Sequence, residues 1–359
     1  MIEVDGSFGE GGGQLLRYSV ALAALLGTPI RVYNIRAKRD NPGLRPQHLS
    51  AVKYIAELVG AEVEGLRVGS TEIVLKPRRK RIPAGIYTVD IGTAGSVTLF
   101  LQATLPVLIN AEEKLQLEVR GGTSVRWSPP YRYFENVLLP LLATFGVRAS
   151  THLLREGYYP EGGGMVRVSA EPSYPLKAVD YSAPGKPSTV EGVSYVSNLP
   201  CHIAERQASS ARAVLQEHGF KVGKVDVLCN VPSVSRGSGI VLWSRASNSI
   251  VGGDALGEKG KPAEVVGREA AEALLKVLKA GVPVDPHASD NLVIYMALAE
   301  GTSSILTTEL TSHAETALVL CREITGASFS VEKTEAGVRI TVKGAVSYTH
   351  LTLPTNREV

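Results

Sequence analysis

The chain has 359 residues, 44% of them hydrophobic and 20% charged, with a formal net charge of +3. That length can bury a sizeable core in roughly two domains, and the composition excludes a disordered or fibrous protein. So small a net charge means that any nucleic-acid binding must rest on clustered cations rather than bulk electrostatics.

The N-terminal stretch MIEVDGSFGE is acidic and polar where a signal peptide is basic and then apolar. It leads into GEGGGQLLRYSVALAALLG, Gly9 to Gly27, in which Glu10 sits among four glycines ahead of a long apolar helix pattern. A dinucleotide fingerprint needs a glycine where Gln14 stands, and a Walker loop needs Gly-Lys followed by Ser or Thr, whereas Gly260-Lys261 is followed by Pro262. Two readings remain open: backbone N–H groups cradling an anion at a helix start, or a tight turn closing onto a buried helix.

Next comes RAKRDNPGLRPQHLSAVK, with Arg36, Lys38, Arg39 and Arg45 close together and Pro46, Gln47 and His48 opening a helix. Arginine forks suit phosphate oxygens, and a solvated basic loop explains the run equally well. The run KPRRKR, Lys76 to Arg81, reads as a charged hairpin end, with contact to RNA as the alternative. GTAGS, Gly92 to Ser96, opens an apolar helix that carries Gln102; its run from Val97 to Ile109 is too short for a membrane span. Glu161 to Gly164 repeats the acid and three glycines of the opening stretch, but MVRVSA after it reads as a strand, so a turn is expected there.

Seams at Tyr181–Gly192 and around Gly281 bracket one segment as an insert. After the second seam, Asp285, His287, Asp290 and Asn291 precede another apolar helix; they suit a base- or ribose-contacting edge or an ordinary capped turn. In TELTSHAETALVLCREITG, Ser312 and Glu315 have capping-box spacing, which places His313 in a first helical turn. The helix end lowers the imidazole pKa and attracts phosphate, so a neutral His313 could attack phosphorus. An ordinary exposed helix start carries such a histidine as well. Ala345 to Val359, with His350, follow a strand pattern already complete and are expected to be a non-native tail. Cys201, Cys229 and Cys321 stand at no metal-ligand spacing and read as small buried thiols of a cytoplasmic protein.

Four amphipathic helix patterns end alike, in Gly60, Gly146, Gly219 and Gly326, each followed by an alternating strand-like segment. Glycine after the last turn and alternation beyond it indicate four small α/β modules, each with its own sheet. Their spacing is too long for a solenoid.

In order over residues 1–344, GEGGGQLLR, RAKRDNPGLRPQH, GTAGSVTLFLQ, HASDN and TSHAETAL resemble the RNA 3′-terminal phosphate cyclases. The resemblance implies an α/β fold (α+β repeats): a large domain of three β-α-β-α-β-β-type repeats over 1–182 and 283–344, with a smaller α/β insert over 183–282. It implies ATP-dependent cyclisation of an RNA 3′-phosphate through AMP bound to His313, with Mg²⁺ or Mn²⁺. RNA with a 3′-phosphate end is the expected partner, a homodimer the expected assembly and a membrane none. Glu10 would lie nearest the metal. Gly11, Gly12 and Gly13 would help hold ATP, while Arg17, Arg36, Arg39, Gln47 and His48 line the phosphate region. Gln102 and His287, Ala288, Ser289, Asp290 and Asn291 would contact the nucleotide. Asn291 stands where the family commonly has glutamine, and Arg45 is one place off the usual arginine. A cyclase-like branch used in ribosome assembly keeps this fold but lacks the histidine, and the enolpyruvyl transferases stack six such repeats against the four counted here.

Overall fold

The structure, a computed structural model, describes residues 1–183, 185, 188–246 and 249–345. His350 and all but the first residue of the suspected tail lie outside the described residues.

Three stretches of chain build the same unit. The first runs β1 (Ile2–Asp5), α1 (Gly13–Leu26), β2 (Ile30–Tyr33), α2 (Pro46–Val59), β3 (Glu62–Glu64) and β4 (Ile73–Lys76). The second runs β5 (Ile86–Asp90), α3 (Val97–Leu108), β6 (Leu115–Gly121) and a broken helix, then β7 (Ala149–Arg155) and β8 (Gly164–Ala170). The broken helix is α4 (Tyr131–Tyr133), a π turn over Phe134–Leu138, and α5 (Leu139–Thr144). Its apolar rhythm predicts one continuous helix. Pro140 at the start of α5 lacks an N–H donor, and the backbone ladder widens to a π turn just before it.

The chain then passes β9 (Leu176–Lys177) and β10 (Asp180–Tyr181) into β11 (Val190–Ser197), α6 (His202–Glu217), β12 (Val222–Leu228), β13 (Gly237–Ala246), β14 (Ser249–Leu256) and α7 (Ala263–Ala280). It closes with α8 (Pro286–Leu298), β15 (Ala299–Glu300), β16 (Thr302–Thr307), α9 (Ser312–Thr325), β17 (Ser328–Lys333) and β18 (Val338–Lys343).

Three sheets share one topology: β1-β2-β4-β3, β5-β6-β8-β7 and β10-β16-β18-β17. In each, the first pair is parallel, joined by one helix in the first two sheets and through the insert and α8 in the third, and the other pairings are antiparallel. The fourth sheet, β12-β11-β13-β14, departs from that order. Its residues alternate: Tyr195, Val241 and Ile250 join the main core, while Ile240, Leu242 and Val251 pack against α6 and α7 in a second core. The four glycines at the ends of the repeated helices all have left-handed φ, between 58° and 92°, where glycine has no Cβ to clash.

Lys76 to Arg81 is not a hairpin end, because β4 and β5 belong to different sheets; the run links two repeats. Cys201 and Cys229 are not free thiols but a disulfide, with Cα atoms 5.1 Å apart, and only Cys321 is a buried thiol. The parallel pairing of β11 with β12 brings the ends of these strands, and with them the two sulfurs, together.

α1, α3 and α8 are the equivalent first helices of the three repeats. Their sixth residues, Tyr18, Gln102 and Asn291, meet in one place. Gln102 donates to the Tyr18 hydroxyl (3.1 Å) and to Asn291 Oδ1 (2.9 Å). Tyr18 donates to the Asp290 carbonyl (2.9 Å). The hub satisfies these partly buried amide and hydroxyl groups without water and sets the three helix starts side by side.

Candidate active site

The three first helices start differently. Ser96 caps α3 by accepting from Leu99 N, and Asp285 caps α8 by accepting from Ala288 N. Gly12 caps α1 with no side chain at all. α2 likewise lacks an acceptor at its N-cap, Arg45, although His48 Nδ1 accepts from the Arg45 N–H at 3.2 Å. The two uncapped starts adjoin: a methyl group on Gly13 would lie 2.2 Å from His48 Nε2. In α2, Pro46 has no N–H and His48 N donates to the Arg45 carbonyl (2.9 Å), so the free first-turn N–H groups of α1 and the dipole ends of both helices face one spot, which suits an anion.

Cations surround that spot. Arg17, only 8% exposed, holds Gln102 Oε1 through two donors (2.9 and 3.3 Å), and burial lowers its pKa to about 10. Burial, followed by the charges of Arg17, Arg36 and Arg45, drives His48 down to about 3, so its ring is neutral. Burial also lowers Arg36, and its neighbours Arg45 and Arg39 push the same way. The Arg36 guanidinium donates to the carbonyls of Asn41 (2.7 Å) and Gly43 (3.3 Å), from a backbone at φ 56°. Lys38 reaches the Gly9 carbonyl (3.2 Å). Arg39 pairs with Glu10 (3.2 Å). Gln47 sits half-buried by the Gly95 backbone.

α9 packs beside α1 and brings His313 to the same place. Its Nδ1 is 2.9 Å from Gln14 Oε1 and 3.2 Å from Glu10 Oε1. The capping residue is Thr311, not Ser312: Thr311 Oγ1 accepts from Ala314 N and donates to Asp290. Ser312 is the first helical residue, so the Ser312–Glu315 spacing is not a capping box here. The lowered imidazole pKa is overturned as well. The hydrogen bond to Glu10 raises His313, against burial, and the Glu10 charge adds to it. Burial raises Glu10, but contact with His313 and the charges of Arg39 and Arg17 outweigh it, leaving the carboxyl below its usual range.

On the α8 side, burial pushes Asp290 up to about 6, against the Thr311 hydrogen bond. Asn291 donates to the His287 carbonyl (2.7 Å). His287 is exposed, its ring edge-on to Tyr133 at 6.3 Å. Ala288 and Ser289 are fully buried, Ser289 donating to the Pro286 carbonyl.

The structure therefore brings Glu10, Gly11–Gly13, Arg17, Arg39, His48, Gln102, Asp290, Asn291 and His313 into one neighbourhood. Sequence reasoning missed Gln14, Tyr18 and Thr311. Gln14 and Tyr18 hide inside an apolar helix pattern. Counting each repeat from its helix start is the signal that singles out Tyr18 beside Gln102 and Asn291.

Among the described residues no group of three or more His, Cys, Asp or Glu could hold a metal. Glu10, half-buried at an anion-favouring mouth, offers a single pair of hard oxygens. That fits an ion such as Mg²⁺, which takes one or two carboxylates and the rest of its ligands from phosphate and water. No helix among the described residues is long and apolar enough to cross a membrane.

A family model described as RNA 3′-terminal phosphate cyclase matches residues 8–331. A protein of that name from Pyrobaculum neutrophilum is 48% identical over 96% of this chain and 98% of its own. One from Hyperthermus butylicus is 51% identical over 88% and 89%, and one from Nitrosospira multiformis 46% over 96% and 97%.

Proposed function

The chain belongs to the RNA 3′-terminal phosphate cyclase family, and from that membership we propose that it uses ATP to convert an RNA 3′-terminal phosphate to a 2′,3′-cyclic phosphate through a histidine-bound AMP. The observation that carries the mechanism is the meeting of His313 with two uncapped helix starts and their arginines.

His313 Nδ1 is engaged by Gln14 and Glu10, which leaves Nε2 to attack. Nε2 forms a bond to the ATP α-phosphorus, the bond to the bridging oxygen breaks, and pyrophosphate leaves. An oxygen of the RNA 3′-phosphate next takes the AMP and releases His313. The adjacent 2′-hydroxyl then attacks the activated phosphorus, and AMP departs with the bridging oxygen. A phosphate monoester is a poor electrophile until it carries such a leaving group.

The α1 start, Gly11–Gly13 and Arg17 bind triphosphate. Arg36, Arg39, Gln47 and His48 hold the terminal RNA phosphate. Gln102, His287, Asp290 and Asn291 line the nucleotide, whereas Ala288 and Ser289, fully buried, do not reach it. Glu10 would hold Mg²⁺, which supplies charge neutralisation of the triphosphate. The chain divides, in this reading, into a catalytic body of three repeats over 1–182 and 283–344 and an insert over 183–282.

Incubation with α-labelled ATP and Mg²⁺ tests the reading. Acid-labile label should appear on the protein, should be lost on addition of RNA bearing a 3′-phosphate, and should be followed by a cyclic end. Cyclisation without a labelled protein intermediate would defeat the mechanism. Absence of both would favour a non-catalytic RNA-binding role.

A further inference from the structure

Two large aromatic side chains stand free on the surface: Trp127 is 92% exposed and Tyr159 78%. Trp127 also has a left-handed backbone, φ 59°, which a bulky residue adopts only where its surroundings enforce it. They do so here. The loop after β6 is stapled to the first turn of α3 at both ends: Val97 N donates to Gly122 O (2.8 Å), and Thr98 Oγ1 to Pro129 O (2.7 Å). Tyr131 N closes the loop onto Thr123 O (2.7 Å), and Arg126 pairs with Glu258 of the insert. A rigid loop that presents a bare tryptophan is costly to keep unless something covers the ring.

The second aromatic shares its root. Thr123 N and Ser124 N both donate to Gly157 O (2.8 and 3.1 Å), at the base of the turn that carries Tyr159. That turn leans on the α3 start, since a methyl group on Gly162 would meet Thr93 O at 2.0 Å. Its other flank is the insert: Tyr158 N donates to Ser235 Oγ, and Val234 packs on Gly163. Arg236, next to Ser235, is exposed and has no partner among the described residues.

The position of this patch identifies its occupant. α3 starts between the two loops, and Gln102, four residues after Thr98, touches Arg17. Thr98, which holds the Trp127 loop through Pro129, and Gln102, which touches Arg17, are thus one helical turn, about 6 Å, apart along α3. A strand whose 3′-phosphate lies among those arginines must leave over an adjoining rim, with its last bases unpaired. Exposed aromatic rings beside an unpaired arginine are what single-stranded RNA requires: faces for bases and a cation for the backbone.

We propose that Trp127 and Tyr159 form a stacking platform for the unpaired bases that precede the reacting RNA end, with Arg236 of the insert on the backbone. The inference rests on the cyclase reading for the identity of the strand. It gives the insert a role: to buttress the platform.

The test uses RNA oligonucleotides ending in 3′-phosphate, each with one abasic position among the last few nucleotides. Trp127→Ala, which alters an exposed side chain, should raise the KM for RNA about 5- to 150-fold, the range for loss of one stacked base. Self-adenylylation without RNA should be unchanged, and Trp127→Phe should restore most of the loss. One abasic position should weaken the wild type but not Trp127→Ala. An unchanged KM, or a loss that no abasic position shares, overturns the proposal. So does a wild-type self-association that Trp127→Ala abolishes, because a second copy would then be the occupant. Quenching of Trp127 fluorescence by the oligonucleotide in a Trp243→Phe background reads the platform without turnover. Quenching without adenylylation would therefore sink the cyclase chemistry and keep the platform, and adenylylation without quenching would do the reverse.

Discussion

Glu10–Gly13 and Glu161–Gly164 are the same four residues in the same order, in opposite settings. In the first, Gly12 ends the loop in extended backbone and Gly13 opens α1, while Glu10 turns in to meet His313 and Arg39. In the second, Gly162 and Gly163 have φ of 67° and 69°, Tyr158 bridges to Gly162 across the turn, and Gly164 opens β8 with Glu161 in solvent. The glycines do not make an anion site. The element after them decides whether a loop suits an anion: the helix from Gln14 aims free N–H groups back at the loop, whereas the strand from Met165 commits its N–H groups to β6 and β7.

The largest expected effect belongs to the residue that the first loop faces and the second lacks. His313→Ala should abolish protein-bound AMP while leaving the fold and ATP binding intact, because the side chain is 46% exposed and the work proposed for it is covalent. Label persisting on that variant would move the nucleophile elsewhere, with His48 the first suspect.

The arginines beside the first loop come next. Arg36→Ala or Arg39→Ala should spare His313 adenylylation but slow AMP transfer to RNA about 10- to 150-fold, the cost of one charge-assisted contact of about 1.5–3 kcal/mol. RNA with a terminal 2′-deoxy sugar should stop at the adenylylated end. In single-turnover kinetics, loss of the histidine adduct with normal transfer would reassign both arginines to the triphosphate.

The two acids give a direct contrast. Glu10→Ala should lower activity, with partial recovery as Mg²⁺ is raised, and Glu161→Ala should change nothing. An unaltered metal dependence in Glu10→Ala would reduce the first loop to a turn like the second.

The smallest effect concerns the second loop alone. Gly163→Ala should cost at least about 1–2 kcal/mol of stability, from its left-handed φ and from a new methyl 2.4 Å from Val234 Cγ2, visible as a lower melting temperature, with adenylylation of the folded protein unchanged. Loss of adenylylation at full folding would show that the second loop, too, reaches the chemistry.

The two loops also show what could be read from the chain alone. Local signals were reliable: a glycine after each repeated helix, alternation beyond it, and a strand rather than a helix after Gly164. Tertiary choices were not. Thr311 and Ser312 are adjacent hydroxyls, and Thr311 is the cap in a structure where Asp290, from another helix, accepts its proton. Cys201 and Cys229 are 28 residues apart, and only the pairing of β11 with β12 brings them together. The His313 pKa turned on Glu10, an acid from the far end of the chain whose pull exceeds that of the local helix end.

Gln14 and His313 touch across 299 positions of chain, which gives the site a temporal order. Every residue of α1 from Gln14 to Leu25 is buried in the finished fold, partly beneath a helix that is almost the last to be made. At about 5–20 residues per second of synthesis, α1 waits about 15–60 s for α9 to emerge. During that interval α1, whose buried residues include Gln14 and Arg17, is on the ribosome without α9 to cover it. A chain stalled before α9 would therefore hold α1 against α2 and α3 with only its α9 face uncovered.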